Sequence, residues 1–213
     1  MSNGHREMND KSHYRVNEIF YSLQGEGRNT GRAAAFVRFA GCNLRCPFCD
    51  TEFDSYDLLT AQDIVDAILP FGSRFVVLTG GEPTLQVDEA FVELLHRHGF
   101  EVAMESNGTR PAPTNIDWLT VSPKLAPGQA YRPVGERRPD ELKVVFDEDT
   151  PAQLPALLQC ITAGESLPLL YLQPCDTGNG QRNARIVAAC IDYIKEHPEW
   201  RLSLQTHKLT GIR

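Results

Sequence analysis

The sequence predicts an α/β fold: an abbreviated, open (β/α) partial TIM barrel with about six mainly parallel strands. Three observations lead there. Apolar strand-like runs alternate with segments of helical period along the chain. The polar clusters CNLRCPFCDT, TGGEP, ESNGT, SPK and QPCD each follow a strand, which puts them on one rim. The chain has 213 residues, whereas a complete eight-unit barrel takes about 250. The same alternation permits a doubly wound sheet as the alternative.

The elements follow in order. Residues 1–13 read as a polar tail expected to be disordered, and 14–213 as a single domain. The segment 18–27, EIFYSLQGEG, precedes the first strand; its apolar half is expected to seal the barrel bottom. AAAFVRFA at 33–40 is a short buried strand, and Gly41 permits a sharp turn into the cysteine loop. TAQDIVDAIL at 60–69 has the helix period, with Thr60 as N-cap, Asp63 completing a capping box, and Pro70 and Gly72 as the stop. FVVLT at 75–79 is a buried strand leading to GGEP. Residues 88–98 form a helix capped by Asp88 and closed at Gly99. Strands follow at 100–106 and 118–122. The loop at 123–140 is long for a compact domain, which suggests a lid, an interface or a docking site. Then come a strand at 141–146, a helix at 151–162, a strand at 167–173, a helix at 182–195 and a strand-like segment at 200–205.

Composition narrows the function. Twenty-one Lys and Arg against 28 Asp and Glu give a net charge of -7, which argues against a duplex-binding surface. No window is apolar enough to span a membrane, and the polar N-terminus has no secretory h-region, so a cytoplasmic protein is expected. Three of the six cysteines fall in C42-N-L-R-C46-P-F-C49. Cys160 and Cys190 lie in apolar runs and are expected core residues, while Cys175 sits in a turn-like segment that reads first as a half-buried thiol and second as a loop near a ligand.

Three thiolates on one loop can converge on a soft metal. Zinc would need a fourth ligand, and His96, His98 and His207 are available but not selected by spacing. A [4Fe-4S] cluster held by Cys42, Cys46 and Cys49 would instead leave one iron open. The C-x3-C-x2-C spacing, with Phe48 just before the last cysteine, resembles the radical S-adenosylmethionine superfamily. That resemblance implies that S-adenosylmethionine chelates the open iron and yields a 5'-deoxyadenosyl radical, which the protein orients and shields. It also implies cofactor contacts by Phe48, Cys49 and Asp50 of the cluster loop and by Gly80, Gly81 and Glu82, the last three receiving the methionine ammonium. Ser122, Pro123 and Lys124 would add further contacts and Gln173 would meet the adenosyl end; from sequence alone Lys124 reads more readily as a solvated lysine on a turn.

Arg38 lies between Val37 and Phe39, and a guanidinium among apolar neighbours suggests a ligand carboxylate, or else an arginine reaching solvent. With SLQGEG, VRFAGCNLRCPFCDT, LTGGEPTLQ, ESNGT, SPK, LKVV, YLQP and SLQTHK, the chain from Tyr14 to Arg213 is similar to the 7-carboxy-7-deazaguanine synthase family. That family comprises carbon–nitrogen lyases that contract 6-carboxy-5,6,7,8-tetrahydropterin to 7-carboxy-7-deazaguanine with loss of ammonia, on the route to queuosine and other 7-deazapurines. The resemblance implies pterin contacts by Leu23, Gln24, Gly25, Glu26, Arg38 and Thr79, with His207 and Arg213 helping to close the site. It further implies Mg2+ on Thr51, an electron donor such as flavodoxin or ferredoxin, and a homodimer. A glycyl-radical-activating enzyme and a structural zinc module for protein interactions are the rival functions.

Overall fold

A computed structural model describes residues 13–49, 51–52, 54–124, 131–161 and 167–212. Asp50, Arg213 and all of the N-terminal tail except His13 lie outside the described residues. In chain order the elements begin with strands Tyr14–Leu23 (β1), Ala33–Phe39 (β2) and Asp57–Leu59 (β3), then helix Ala61–Ile68 (α1) and strand Phe75–Gly80 (β4). Helix Glu89–Arg97 (α2) leads to strands Glu101–Ser106 (β5), Trp118–Val121 (β6) and Glu141–Phe146 (β7). Helix Leu154–Ile161 (α3), strand Leu169–Pro174 (β8), helix Gly180–Glu196 (α4), strand Trp200–Leu202 (β9) and helix Thr206–Thr210 (α5) complete the order.

The strands join one nine-stranded sheet in the order β3-β1-β2-β4-β5-β6-β7-β8-β9. Every neighbouring pair from β2 to β9 is parallel, whereas β1 runs antiparallel to both β2 and β3. The expected count of about six strands therefore rises by the C-terminal β9 and the two antiparallel strands at the opposite edge. β1 was hidden because its register shifts between Val16 and Glu18. A bulge of that kind puts the two halves of a strand out of phase, so the period-two alternation breaks. β3 has only three residues, too few to show a pattern.

Alternation along each parallel strand assigns its side chains to two different environments. Ala35, Val37 and Phe39 of β2, Val76 and Leu78 of β4, Val102 and Met104 of β5, and Leu142, Val144 and Phe146 of β7 join one large core. The buried residues of α1, α2, α3 and α4 all pack into that same core. The opposite face carries a separate small apolar cluster of Phe20, Ala34, Phe36, Phe75, Val77 and Ala103, with Trp118 against it. Helices α1 to α4 thus cover one face only, which excludes a doubly wound sheet and leaves the other face as the concave interior of an open barrel.

Local chemistry sets the helix starts. The Thr60 hydroxyl accepts from the Asp63 N–H at 3.1 Å, and the Asp63 carboxylate accepts from the Thr60 N–H at 2.8 Å, as the capping box requires. Asp88 caps α2 by accepting from the Phe91 N–H at 3.0 Å. Each such cap contributes about 1 kcal/mol. The helix expected at 151–162 divides into a short 3-10 turn at Thr150–Ala152 and α3. Among the described residues no helix is long and apolar enough to cross a membrane.

Candidate active site

On the concave face each parallel strand passes from apolar to polar residues towards its C-terminal end. Phe36 gives way to Arg38, Val77 to Thr79 and Ala103 to Glu105; β7 contributes Lys143 and β8 Gln173. Arg38 and Thr79 are direct register partners across β2 and β4. Beside the small apolar cluster these polar ends line a cavity of about 970 Å³, large enough for more than one small molecule.

The cysteine loop begins at Gly41, whose φ of +85° few side chains tolerate. Cys42, Cys46 and Cys49 all line the cavity and none is in a disulfide; Cys49 is the most exposed. The Cys49 N–H donates to Cys46 O at 3.1 Å and the Leu44 N–H faces Cys42 Sγ at 3.4 Å. Phe48 and Thr51 line the cavity beside them. As placed, no group of three His, Cys, Asp or Glu side chains among the described residues is arranged to hold a metal ion. The donor set itself, three thiols on one short loop facing one cavity, suits an iron-sulfur cluster better than a closed four-ligand zinc site.

The GGEP loop buttresses this loop from below. A Cβ on Gly81 would lie 2.0 Å from Gly41 O, and one on Gly80 would lie 2.1 Å from Phe39 O. The Gly81 N–H donates to Phe39 O and the Glu82 N–H to Gly41 O, each at 2.9 Å. Both glycines are therefore needed for backbone-to-backbone contact, and both also line the cavity. Glu82 is completely buried and its side chain is absent from the cavity wall. Its Oε1 accepts from Thr84 N–H at 3.1 Å, Thr84 Oγ1 at 2.6 Å and Ser106 Oγ at 2.8 Å, and its Oε2 from the Asn107 N–H at 2.7 Å. This carboxylate ties the GGEP loop to the end of β5. Asn107 in turn donates to Asn43 Oδ1 at 3.0 Å, which makes the three rim loops one connected body.

Ser122 and Lys124 reach the cavity, whereas the buried Pro123 does not. The Lys124 amine donates to Ser122 Oγ at 2.8 Å and lies 5.6 Å over the Phe48 ring. Burial pushes that amine below the usual lysine value, with the Cys46 sulfur pulling the other way. Gln173 lines the wall and accepts from Ser203 Oγ at 2.9 Å.

After β1 the chain turns under the cavity, bringing Leu23, Gln24, Gly25 and Glu26 to its wall. Arg38 is held at Nε by Glu18 Oε1 at 2.8 Å and lies 5.7 Å from the Phe20 ring. Gly25 O accepts from the Thr206 N–H at 3.0 Å and Thr206 Oγ1 at 2.9 Å, and a Cβ on Gly25 would lie 2.4 Å from His207 Nδ1. Helix α5 is thereby fastened to the turn, and His207 enters the cavity wall.

Comparison with known proteins agrees with this architecture. The radical SAM superfamily model matches residues 36–124. A 7-carboxy-7-deazaguanine synthase from Bacteroides thetaiotaomicron is 45% identical over 201 residues, covering 93% of this chain and 98% of its relative. The chain belongs to the 7-carboxy-7-deazaguanine synthase family. Synthases of the same name from Bradyrhizobium diazoefficiens and Bordetella pertussis are 42% and 43% identical over 222 residues, each covered at 99%. The crystal structure of QueE from Escherichia coli superposes with a TM-score of 0.76 at 30% identity, covering 90% of this chain and 93% of that one. The activating-enzyme and zinc-module alternatives give way to this family.

One part of the cavity of this member of the 7-carboxy-7-deazaguanine synthase family carries no local motif. Glu105 and Lys143 meet at its floor: Lys143 Nζ is 2.9 Å from Glu105 Oε2 and 2.6 Å from Glu26 Oε2. Gln24 Nε2 donates to Glu105 Oε1 at 3.1 Å, and Gln205 Nε2 to Glu26 Oε1 at 3.2 Å. A charged residue inside the apolar runs FEVAMES and ELKVVF was the available signal, the same one that picked out Arg38. Cys175, expected as a half-buried turn thiol, is buried and touches the cavity, while Cys190 is a core residue as expected.

Proposed function

We propose that this chain contracts 6-carboxy-5,6,7,8-tetrahydropterin to 7-carboxy-7-deazaguanine with loss of ammonia, as a step in queuosine and 7-deazapurine biosynthesis. The observation that carries this reading is the charge layout of one cavity. Arg38 projects from β2, while Glu26, Glu105 and Gln24 gather at the floor and the thiols stand at the rim. A pterin carboxylate suits the Arg38 guanidinium, and the aminopyrimidinone edge offers N–H groups to the two carboxylates. Leu23, Gly25, Thr79 and His207 complete the substrate wall in this reading, with Arg213 assigned to it by resemblance alone.

Cys42, Cys46 and Cys49 would hold the [4Fe-4S] cluster, drawing together as they take it up. With S-adenosylmethionine bound, that group supplies the one-electron chemistry that begins hydrogen abstraction. Backbone groups of Gly80 and Gly81, with Ser122, Lys124, Phe48, Gln173 and, by resemblance, Asp50 and Pro123, form the cofactor wall. Phe20, Phe36, Val77 and Val145 give the cavity an apolar wall that limits water at the reacting carbon. Thr51 offers one hard oxygen at the rim, so Mg2+ there would need substrate and water oxygens to complete its octahedron. A flavodoxin- or ferredoxin-type donor and a second copy of the chain are the partners this reading carries.

The test is product analysis with anaerobically reconstituted protein, reductant, S-adenosylmethionine and the tetrahydropterin. Equimolar 7-carboxy-7-deazaguanine and ammonia are expected; 5'-deoxyadenosine release with no deazaguanine contradicts the assignment. Arg38→Ala removes the charged partner of the pterin carboxylate, so KM should rise by on the order of 10- to 100-fold with iron content unchanged. Parallel loss of iron would assign Arg38 to the scaffold instead.

A further inference from the structure

Lys143 lies in the middle of β7 and is 5% exposed, yet it is the meeting point of three separate parts of the chain. Its ammonium donates to Glu26 from the turn after β1 and to Glu105 at the end of β5. Gln205, just past β9, holds the other oxygen of Glu26. We propose that Lys143 is a positioning residue, keeping Glu26 and Glu105 ionised and aimed at the aminopyrimidinone edge of the substrate. The proposal rests on the pterin reading above and goes beyond it by assigning the buried cation a role in substrate recognition.

Two carboxylates that share a water-poor site repel, and without a cation one of them takes up a proton. A protonated carboxyl presents an O–H donor where the ligand edge also presents donors, so recognition fails. With Lys143 between them, both groups stay acceptors. Other charged groups act on the same site: Glu141, Lys124 and His207. The two carboxylates, against the effect of burial, hold the Lys143 amine above the usual lysine range. They are unequal. Burial pushes the Glu105 carboxyl up, while at Glu26 Lys143, Gln205 and His207 together overcome burial and hold the carboxyl down. Glu105 is therefore the group that protonates first once the cation is removed.

The experiment measures KM for the tetrahydropterin from pH 6 to 9 with reconstituted holoprotein, alongside 5'-deoxyadenosine formation without pterin. Lys143→Met should raise KM on the order of 10- to 100-fold. The loss should be greatest at low pH and lessen as pH rises and the carboxyl ionises. Substrate-free S-adenosylmethionine cleavage and iron content report cofactor loading in each variant; loss of both together with substrate recognition would assign Lys143 to the scaffold instead. Lys143→Arg should restore a flat profile. If Lys143→Met does not fold, the charge-balanced double variant Glu105→Gln, Lys143→Met decides; its KM is expected to be raised but independent of pH. A Lys143→Met profile parallel to wild type, or equal pH dependence in the double variant, overturns the role. Wild-type protein that makes no deazaguanine overturns the pterin reading itself, a result distinguishable from failure in the variant alone.

Discussion

Replacing Glu82 with glutamine separates a scaffold carboxylate from a ligand carboxylate. Four donors converge on Glu82: three on Oε1 and the Asn107 N–H on Oε2. Glutamine offers one carbonyl oxygen and one NH2. In its better orientation the oxygen keeps the three donors, and the NH2 faces the Asn107 N–H donor to donor. The site then loses a charge-assisted hydrogen bond and strands a buried N–H, at a combined cost of about 3 kcal/mol. In a chain of this length 1 kcal/mol moves Tm by about 2–4 °C, so Tm should fall by about 6–12 °C. The assay is anaerobic thermal unfolding of cluster-free protein, followed by circular dichroism. No cofactor is present in that assay, so a residue that only met the methionine ammonium would leave Tm unchanged. A Glu82→Gln Tm within about 2 °C of wild type would refute the scaffold assignment.

Other outcomes follow from the same geometry. Gly81→Ala puts a Cβ 2.0 Å from Gly41 O and 3.0 Å from Cys42 N, so the cysteine loop must shift. The strain should cost about 1–3 kcal/mol, and reconstituted iron content should fall; unchanged iron would show that the loop tolerates the displacement. Glu141 is buried beside Glu105, and burial pushes its carboxyl up to about 7 from an ordinary 4.5. A raised folded-state value means stability that is present below about pH 4.5 and lost as pH rises through about 7, worth about 3 kcal/mol in all. Glu141→Gln should remove that decline, so the variant gains on wild type between pH 5 and pH 8 in urea unfolding; an equal difference at both values would contradict it.

Much of the barrel was legible because its parallel strands are buried runs bounded by turn residues. β7 matches the strand expected at 141–146, and the Thr60–Asp63 capping box places the start of α1. β1 escaped because the shift between Val16 and Glu18 destroys the alternation by which a strand is recognised. The site divided along a different line. Spacing alone exposes the three cysteines, since metal chemistry constrains their separation. It does not reveal where a carboxylate points. Nothing beside the two glycines tells that the Glu82 carboxylate braces the GGEP loop against β5, and nothing in their strands tells that Glu105 and Lys143 meet at the floor of the cavity. Which charges meet depends on long-range pairing across β1, β5 and β7, and no local pattern encodes it.

Cys42, Cys46 and Cys49 would hold a cluster that leaves one iron open to S-adenosylmethionine. Electron paramagnetic resonance of the reduced, anaerobically reconstituted protein, before and after S-adenosylmethionine is added, tests it most directly. A reduced cluster signal whose g-values move on addition, from protein with about four irons per chain, is the predicted result. A spectrum indifferent to S-adenosylmethionine, from a metal fully ligated by the protein, would contradict it.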